Sequence, residues 1–177
     1  RAAILTACRS GEVRGARWGE VDLDAGIWTI PAERMKGGLL HVVPLSKPAI
    51  EVFRAAEALR IDGTDLIFYG AKPKRPLSDM TLLKVCRDMG ISGVPHGFRS
   101  SFRDWAAEVQ GRTPKEVAEC VLAHKIGDSK TEASYLRTTY FDARKKMMAT
   151  WGAYVTSSGD VVDFATRKRA REIGRGA

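Results

Sequence analysis

Winding residues 95–109, PHGFRSSFRDWAAEV, at about 100° per residue puts Phe98, Phe102, Trp105 and Val109 within a sector roughly 60° wide. Rings so large on one face must be buried against other elements, so the fold has to be built around this helix. His96, Arg99 and Arg103 fall in a second sector about 120° away, at the edge of the buried face. A histidine near a helix start is ordinarily a satisfied structural group, and an arginine on a helix flank is ordinarily solvated. Against that, a helix N-terminus with a guanidinium one turn in is an anion site. The stretch lacks the HExxH arrangement of a zinc protease, and phosphate fits it better than a metal.

The rest of the chain supplies more helices and one small sheet. RAAILTAC reads as the middle of a helix, so the chain is expected to be a fragment. CRSGEVRGARW reads as a tight turn with Ser10 as N-cap of a second helix ending near Trp18, which leaves Arg9 in the elbow between the two. Two β-rich runs, near 26–30 and 40–44, flank a polar tip ending in Gly37 and Gly38. That is a hairpin with Arg34 and Lys36 at its tip, extended to three strands by the segment near Val21. Ser46 can cap a helix with Pro48 in its first turn and Ile50, Phe53, Ala56 and Leu59 inward. A further helix is expected with Ser78 as its cap, with Leu82, Val85, Cys86 and Met89 inward and Gly90 as its stop. Thr113 and Glu116 have capping-box spacing for a helix over 114–122, ending before His124. Tyr140, Phe141, Met147, Met148, Trp151 and Val155 mark the last amphipathic stripe. The fold class is mainly α with a small antiparallel β-sheet, an α+β domain over residues 1–156. Residues 157–177, ending in a basic run, form a tail.

With 177 residues the chain can bury a full hydrophobic core. Its net charge of +8 favours a polyanionic partner, because lysines and arginines that bind phosphates release condensed counterions. No run reaches the ~18 apolar residues that a membrane span requires, and a cytoplasmic protein is the default expectation. Cys8, Cys86 and Cys120 are widely separated and lack ligand spacing, which reads as free, partly buried thiols.

Taken in order, TACRSGEVRGARW, the hairpin IWTIPAERMKGG, PHGFRSSFRDWAAE and LAHKIGDSKTEASYLR resemble the catalytic domain of tyrosine recombinases, in particular prophage and genomic-island integrases. The likeness runs from residue 1 to about 155. It implies that Arg9 is the first catalytic arginine and that Glu12, one turn later, braces it. It further implies that Lys36 is the hairpin lysine, His96 and Arg99 the HxxR pair, His124 the late histidine and Tyr135 the nucleophile. The family usually has glycine where this chain has Ala7 and Ala123, a departure that touches local turns and replaces no catalytic group.

The chemistry agrees with that assignment. Attack on a phosphodiester builds a five-coordinate phosphorane with extra charge on its non-bridging oxygens, so preorganised guanidiniums there lower the barrier. A tyrosine, with a free pKa near ~10, must lose its proton to attack. His96 suits a base or hydrogen-bond partner, His124 a phosphate-oxygen donor, and Lys36 an acid for the leaving 5′-hydroxyl. No step requires a metal or other cofactor. Residue chemistry alone leaves Tyr69, Tyr135, Tyr140 and Tyr154 open; the spacing after LAHK in the resemblance selects Tyr135.

Arg34, Lys74, Arg75 and Arg103 are read as contacts to backbone phosphates, with solvated surface charge as the alternative. The partners implied are double-stranded DNA attachment sites, a homo-oligomer on DNA, tetrameric in synapsis, and an accessory DNA-bending protein. The implied setting is bacterial or phage-encoded and nucleoid-associated. The tail is either a flexible terminus or a segment exchanged with a neighbouring protomer. Two rival readings are a type IB topoisomerase-like DNA relaxation and a DNA-binding module inactive without its upstream domain.

Overall fold

A computed structural model of the chain describes residues 1–70, 75–108, 114–124 and 139–157. Lys74, Val109, Thr113, Tyr135 and the tail from 158 onward lie outside the described residues. The order is α1 (Ala2–Thr6), α2 (Ser10–Arg14), β1 (Val21–Asp22), β2 (Ile27–Ile30), β3 (His41–Pro44), α3 (Lys47–Glu57), α4 (Thr81–Asp88), α5 (Gly97–Glu108), α6 (Lys115–Val121) and α7 (Phe141–Thr156). The architecture is mainly helical with one small antiparallel sheet, as the sequence patterns require.

The sheet runs β1-β2-β3, with Trp28 opposite Val43 and Ile30 opposite His41. Alternation along β2 turns Trp28 and Ile30 inward onto Phe53 of α3, with Leu5 and Val13 beside them. The β2–β3 connection is more than a loop. It contains a short 3-10 helix, Ala32–Arg34, and then a turn in which Gly38 N–H donates to Met35 O at 3.0 Å. Gly38 has φ 66°, a left-handed conformation that glycine adopts without steric cost.

A second core gathers Phe102, Trp105 and Ala106 of α5, Val117 and Val121 of α6, and Met147, Met148 and Trp151 of α7. Phe102 meets Trp151 edge to face with centroids 5.4 Å apart, a favoured arrangement of ring quadrupoles. Helix α1 packs on α3, α5 and α7, so its C-terminal end reaches the seam between the two cores.

Several local expectations change. Arg9 and not Ser10 is the N-cap of α2, because the Glu12 carboxylate takes the Arg9 N–H, and the helix stops at Arg14. Ser46 occupies the N-cap position of α3 but makes no capping bond. Its side chain faces α7 instead, where Gly152 leaves room for it. Leu59 lies beyond α3 and is exposed. Met80 and not Ser78 is the N-cap of α4, the Ser78 hydroxyl meeting that of Thr81 at 2.9 Å; on this helix only Cys86 is buried, whereas Val85 is exposed and Met89 beyond it is 69% exposed, so the expected inward face is largely open. Among the described residues no helix is long and apolar enough to cross a membrane.

Candidate active site

The site is assembled where α1, α2, α5 and α6 end or begin. Arg9, extended at φ −67° and ψ 148°, leads the chain from α1 into α2. Glu12 is buried, and both its oxygens serve Arg9: Oε2 accepts the backbone N–H at 2.6 Å and Oε1 accepts Nη1–H at 2.8 Å. A buried carboxylate shared between backbone and guanidinium sets the direction of the Arg9 side chain, which keeps about a quarter of its surface open (26%).

Arg99 comes from α5 and is only 5% exposed. This corrects the helical-wheel reading, which set it at the edge of the buried face. Its Nη1 donates to Ala7 O and its Nη2 to Leu122 O, the latter at 2.5 Å. Both acceptors lie at the C-terminal ends of helices, α1 and α6, where carbonyls lack intrahelical donors. Ala7 and Ala123 adopt φ 52° and 48°, which explains in physical terms why glycine suits these two places. Burial, and next the repulsion of the Arg9 guanidinium, lower the Arg99 pKa from its ordinary value, although an arginine stays charged. Two cations far apart in sequence are thus held close enough to repel, and an anion between them would relieve that repulsion.

His124 follows α6 and stands beside Arg99, with Nε2 3.3 Å from Nη2. Its Nδ1 lies 2.5 Å from Glu119 Oε2, and this contact sets the orientation of the ring. Glu119 also pairs with Arg103 Nε at 3.0 Å. Arg103 therefore differs from a free surface cation: it is half exposed and engaged with the carboxylate that orients His124.

His96 lies just before α5 with its ring exposed, and its carbonyl accepts the Arg99 N–H at 3.1 Å. Lys36 is exposed on the turn that follows the 3-10 helix. Arg75 is exposed as well. Arg34 departs from the reading that put it at the hairpin tip as a phosphate contact. Its side chain is 19% exposed and ion-paired with Glu20, so its charge is neutralised within the protein.

Behind these groups lies a layer that sequence reasoning missed. His41 of β3 is buried, and its pKa is lowered to about 4 by desolvation and then by the Arg144 charge. Arg144 of α7 is itself buried and donates to the Val42 carbonyl. Desolvation pushes the Cys8 thiol up to about 12. Glu119 lies near the end of α6 and His124 beyond it, past the left-handed Ala123, so no helical period links them, and His41 and Arg144 carry no local signal either.

A family model of the phage integrase family matches residues 1–140. The chain belongs to the phage integrase family. Prophage integrase IntA of Escherichia coli K12 is 35% identical over 164 residues, a match covering 90% of this chain and 39% of that relative. The integrase of Shigella phage Sf6 is 33% identical over 153 residues, covering 85% and 39% respectively. This chain spans about two fifths of the length of these curated relatives. Among solved structures it is similar in fold to XerA recombinase, with a TM-score of 0.59 at 20% identity over 81% of this chain and 55% of that one. A lambda integrase dimer bound to a COC′ core site matches with a TM-score of 0.50 at 23% identity, covering 77% and 40%.

In this integrase chain the structure brings Arg9, Glu12, Arg99 and His124 into one connected set and leaves Lys36 and His96 exposed. Tyr135, like Lys74, lies outside the described residues. The three other tyrosines have places in the fold. Tyr69 donates to Leu59 O at 2.8 Å, Tyr140 packs on the second core, and Tyr154 stacks among Trp105 and Trp151.

Proposed function

We propose that this chain is the catalytic part of a tyrosine-type site-specific DNA recombinase that cuts and rejoins double-stranded attachment sites to integrate or excise a prophage or genomic island. The observation that carries this reading is the pair of arginines, Arg9 braced by buried Glu12 and Arg99 buried against two helix ends, brought near each other from opposite parts of the chain. A scissile phosphate would take up the guanidinium N–H groups that these internal bonds leave over, and their hold would strengthen as charge builds on its non-bridging oxygens. His124, aligned by Glu119, adds a polar group beside Arg99.

In this reaction the Tyr135 oxygen attacks phosphorus and gives up its proton to His96 or to water. The bond from phosphorus to the 5′-oxygen breaks, and that oxygen leaves as a hydroxyl with a proton from Lys36. The 3′-phosphotyrosyl bond conserves the energy for rejoining, so the cycle uses neither metal nor nucleotide cofactor. That Tyr69, Tyr140 and Tyr154 have structural places supports Tyr135 as nucleophile. Assembly as a homo-oligomer on DNA, tetrameric in synapsis and aided by a DNA-bending protein, belongs to the same proposal, as does exchange of the tail between protomers.

The test is covalent trapping. Suicide duplexes with a randomised core are incubated with the chain, and attached DNA is recovered and sequenced. The expected result is a denaturant-resistant adduct that Tyr135→Phe abolishes; an adduct that survives Tyr135→Phe refutes the nucleophile. Relaxation of a plasmid free of any selected site would favour the topoisomerase-like alternative.

A further inference from the structure

We infer that Arg34 is a positioning residue for Lys36, fixing the root of the hairpin turn to the helix that carries Glu12, and is not a contact for DNA. The inference rests on the recombinase reading for its catalytic consequence, though its geometry stands apart from that reading.

Arg34 ends the 3-10 helix Ala32–Arg34 and reaches two groups at once. Its Nη1 is ion-paired with the Glu20 carboxylate. Its Nη2 donates to the backbone carbonyl of Glu12, one of the last carbonyls of α2 and therefore without an intrahelical donor. Glu20 is held in turn by the Trp28 indole N–H at 3.0 Å and the Arg17 N–H at 3.2 Å. Trp28 is fully buried in β2, so the acceptor for Arg34 is fixed to the sheet.

Gly15 supplies independent evidence that this placement is specific. A Cβ there would stand 2.9 Å from Nη2 and 3.4 Å from Nε of Arg34, so the guanidinium lies directly on the backbone after α2 and would have to move aside for any larger residue.

The consequence for Lys36 follows from chain connectivity. Met35, between Arg34 and Lys36, is buried, and its carbonyl accepts the Gly38 N–H at 3.0 Å. Lys36 therefore projects from a turn whose first side is clamped by Arg34 and Met35. Glu12 serves both halves of the site: its carboxylate holds Arg9 and its carbonyl holds Arg34. Arg34 is paired with Glu20, and substitutions that keep its positive charge leave the charge available to phosphates unchanged.

The experiment compares the unsubstituted chain with Arg34→Lys, which keeps charge but loses the fork, and Gly15→Ala, which displaces the guanidinium without removing it. Using a suicide duplex recovered in the trapping experiment, both variants are expected to bind within twofold of the parent with an unchanged salt slope. Their single-turnover rate of adduct formation should fall by about 10- to 100-fold, the scale of a displacement near 1 Å. On the same duplex with sulfur in place of the leaving 5′-oxygen, the deficit should shrink to a few-fold. A thiolate, with a parent pKa of ~8.5, leaves without a protonating acid. Without DNA, hydrogen exchange of amides 35–40 should rise at least severalfold in both variants.

A shallower salt slope with weaker binding would overturn the inference in favour of a phosphate contact. An unchanged adduct rate, or a deficit equal on oxygen and sulfur, would overturn the action through Lys36. Unchanged hydrogen exchange would overturn the clamp itself. If the unsubstituted chain forms no adduct with any duplex, the recombinase reading fails, and the exchange measurement still decides the clamp.

Discussion

Replacing Arg99 should destabilise this chain in the absence of any DNA, which separates its structural role from its chemistry. The guanidinium bridges Ala7 O and Leu122 O from a site 5% exposed, so Arg99→Met leaves two carbonyls at buried helix ends without donors. Each charge-assisted bond is worth about 1.5–3 kcal/mol, and each orphaned acceptor costs about 1–3 kcal/mol. Opposing this, removal relieves the repulsion from Arg9 and the desolvation of a buried charge, the two causes that lower the Arg99 pKa. The balance should be a net loss of about 2–4 kcal/mol for Arg99→Met. Arg99→Lys should be no better, because an ammonium keeps the desolvation and the repulsion but lacks a fork to span both carbonyls. For a chain of this size that is a fall in Tm of about 4–16 °C. Thermal melting by circular dichroism, with urea midpoints compared at equal m, measures it. Added sulfate should raise the Tm of the parent more than that of Arg99→Met, since the parent alone offers paired guanidiniums. A Tm for Arg99→Met equal to or above the parent's would refute the reasoning and mean that repulsion outweighs the two bonds.

His41 predicts an acid-sensitive fold: its folded pKa of about 4 lies below the ordinary 6.5, so the unfolded chain binds a proton that the folded chain does not. Its contribution is complete above pH ~6.5 and declines as pH falls toward 4, by roughly 3 kcal/mol. Arg144 and Arg99 oppose the charged ring while Glu12 favours it, and urea midpoints between pH 4 and 7 should flatten in His41→Gln. Ala123→Gly should raise stability by about 0.5–1 kcal/mol, as relief from φ 48° exceeds the entropy that glycine adds to the unfolded chain. Ala7→Gly should gain less, because the Ala7 methyl is fully buried in the second core; equal gains in Tm would contradict this. Cys8, with its thiol pushed to about 12 and buried, should react with a maleimide far more slowly than half-buried Cys120, as peptide mapping by mass spectrometry would show.

Much of the fold was legible from period and punctuation. Phe102 and Trp105 of the α5 stripe, the three-stranded sheet, and the last helix through Trp151 are as the patterns predict, because burial of one face imposes a period on neighbouring residues, whereas the 3-10 helix between β2 and β3 was not foreseen. Where reading failed, the partner lay elsewhere in the chain. Val85 and Met89 follow a helical stripe yet remain exposed, since period states which residues share a face and not whether another element covers it. Ser46 carries a capping residue's chemistry but meets Gly152, more than a hundred residues away.

The sequence by itself determined the class of fold, because helical spacing and turn residues are properties of short stretches, and it marked Arg9, Glu12, Arg99 and His124 as candidates through the order of its motifs. Tertiary structure alone decided what each charge does. Arg34, Arg99 and Arg103 are the same residue type on comparable local patterns. One is clamped to Glu20 and a helix end, one is buried between two helix ends, and one shares Glu119 with His124. The physical reason is that a guanidinium's role depends on the acceptors within about 3 Å of it, and here nearly all of those come from distant parts of the chain.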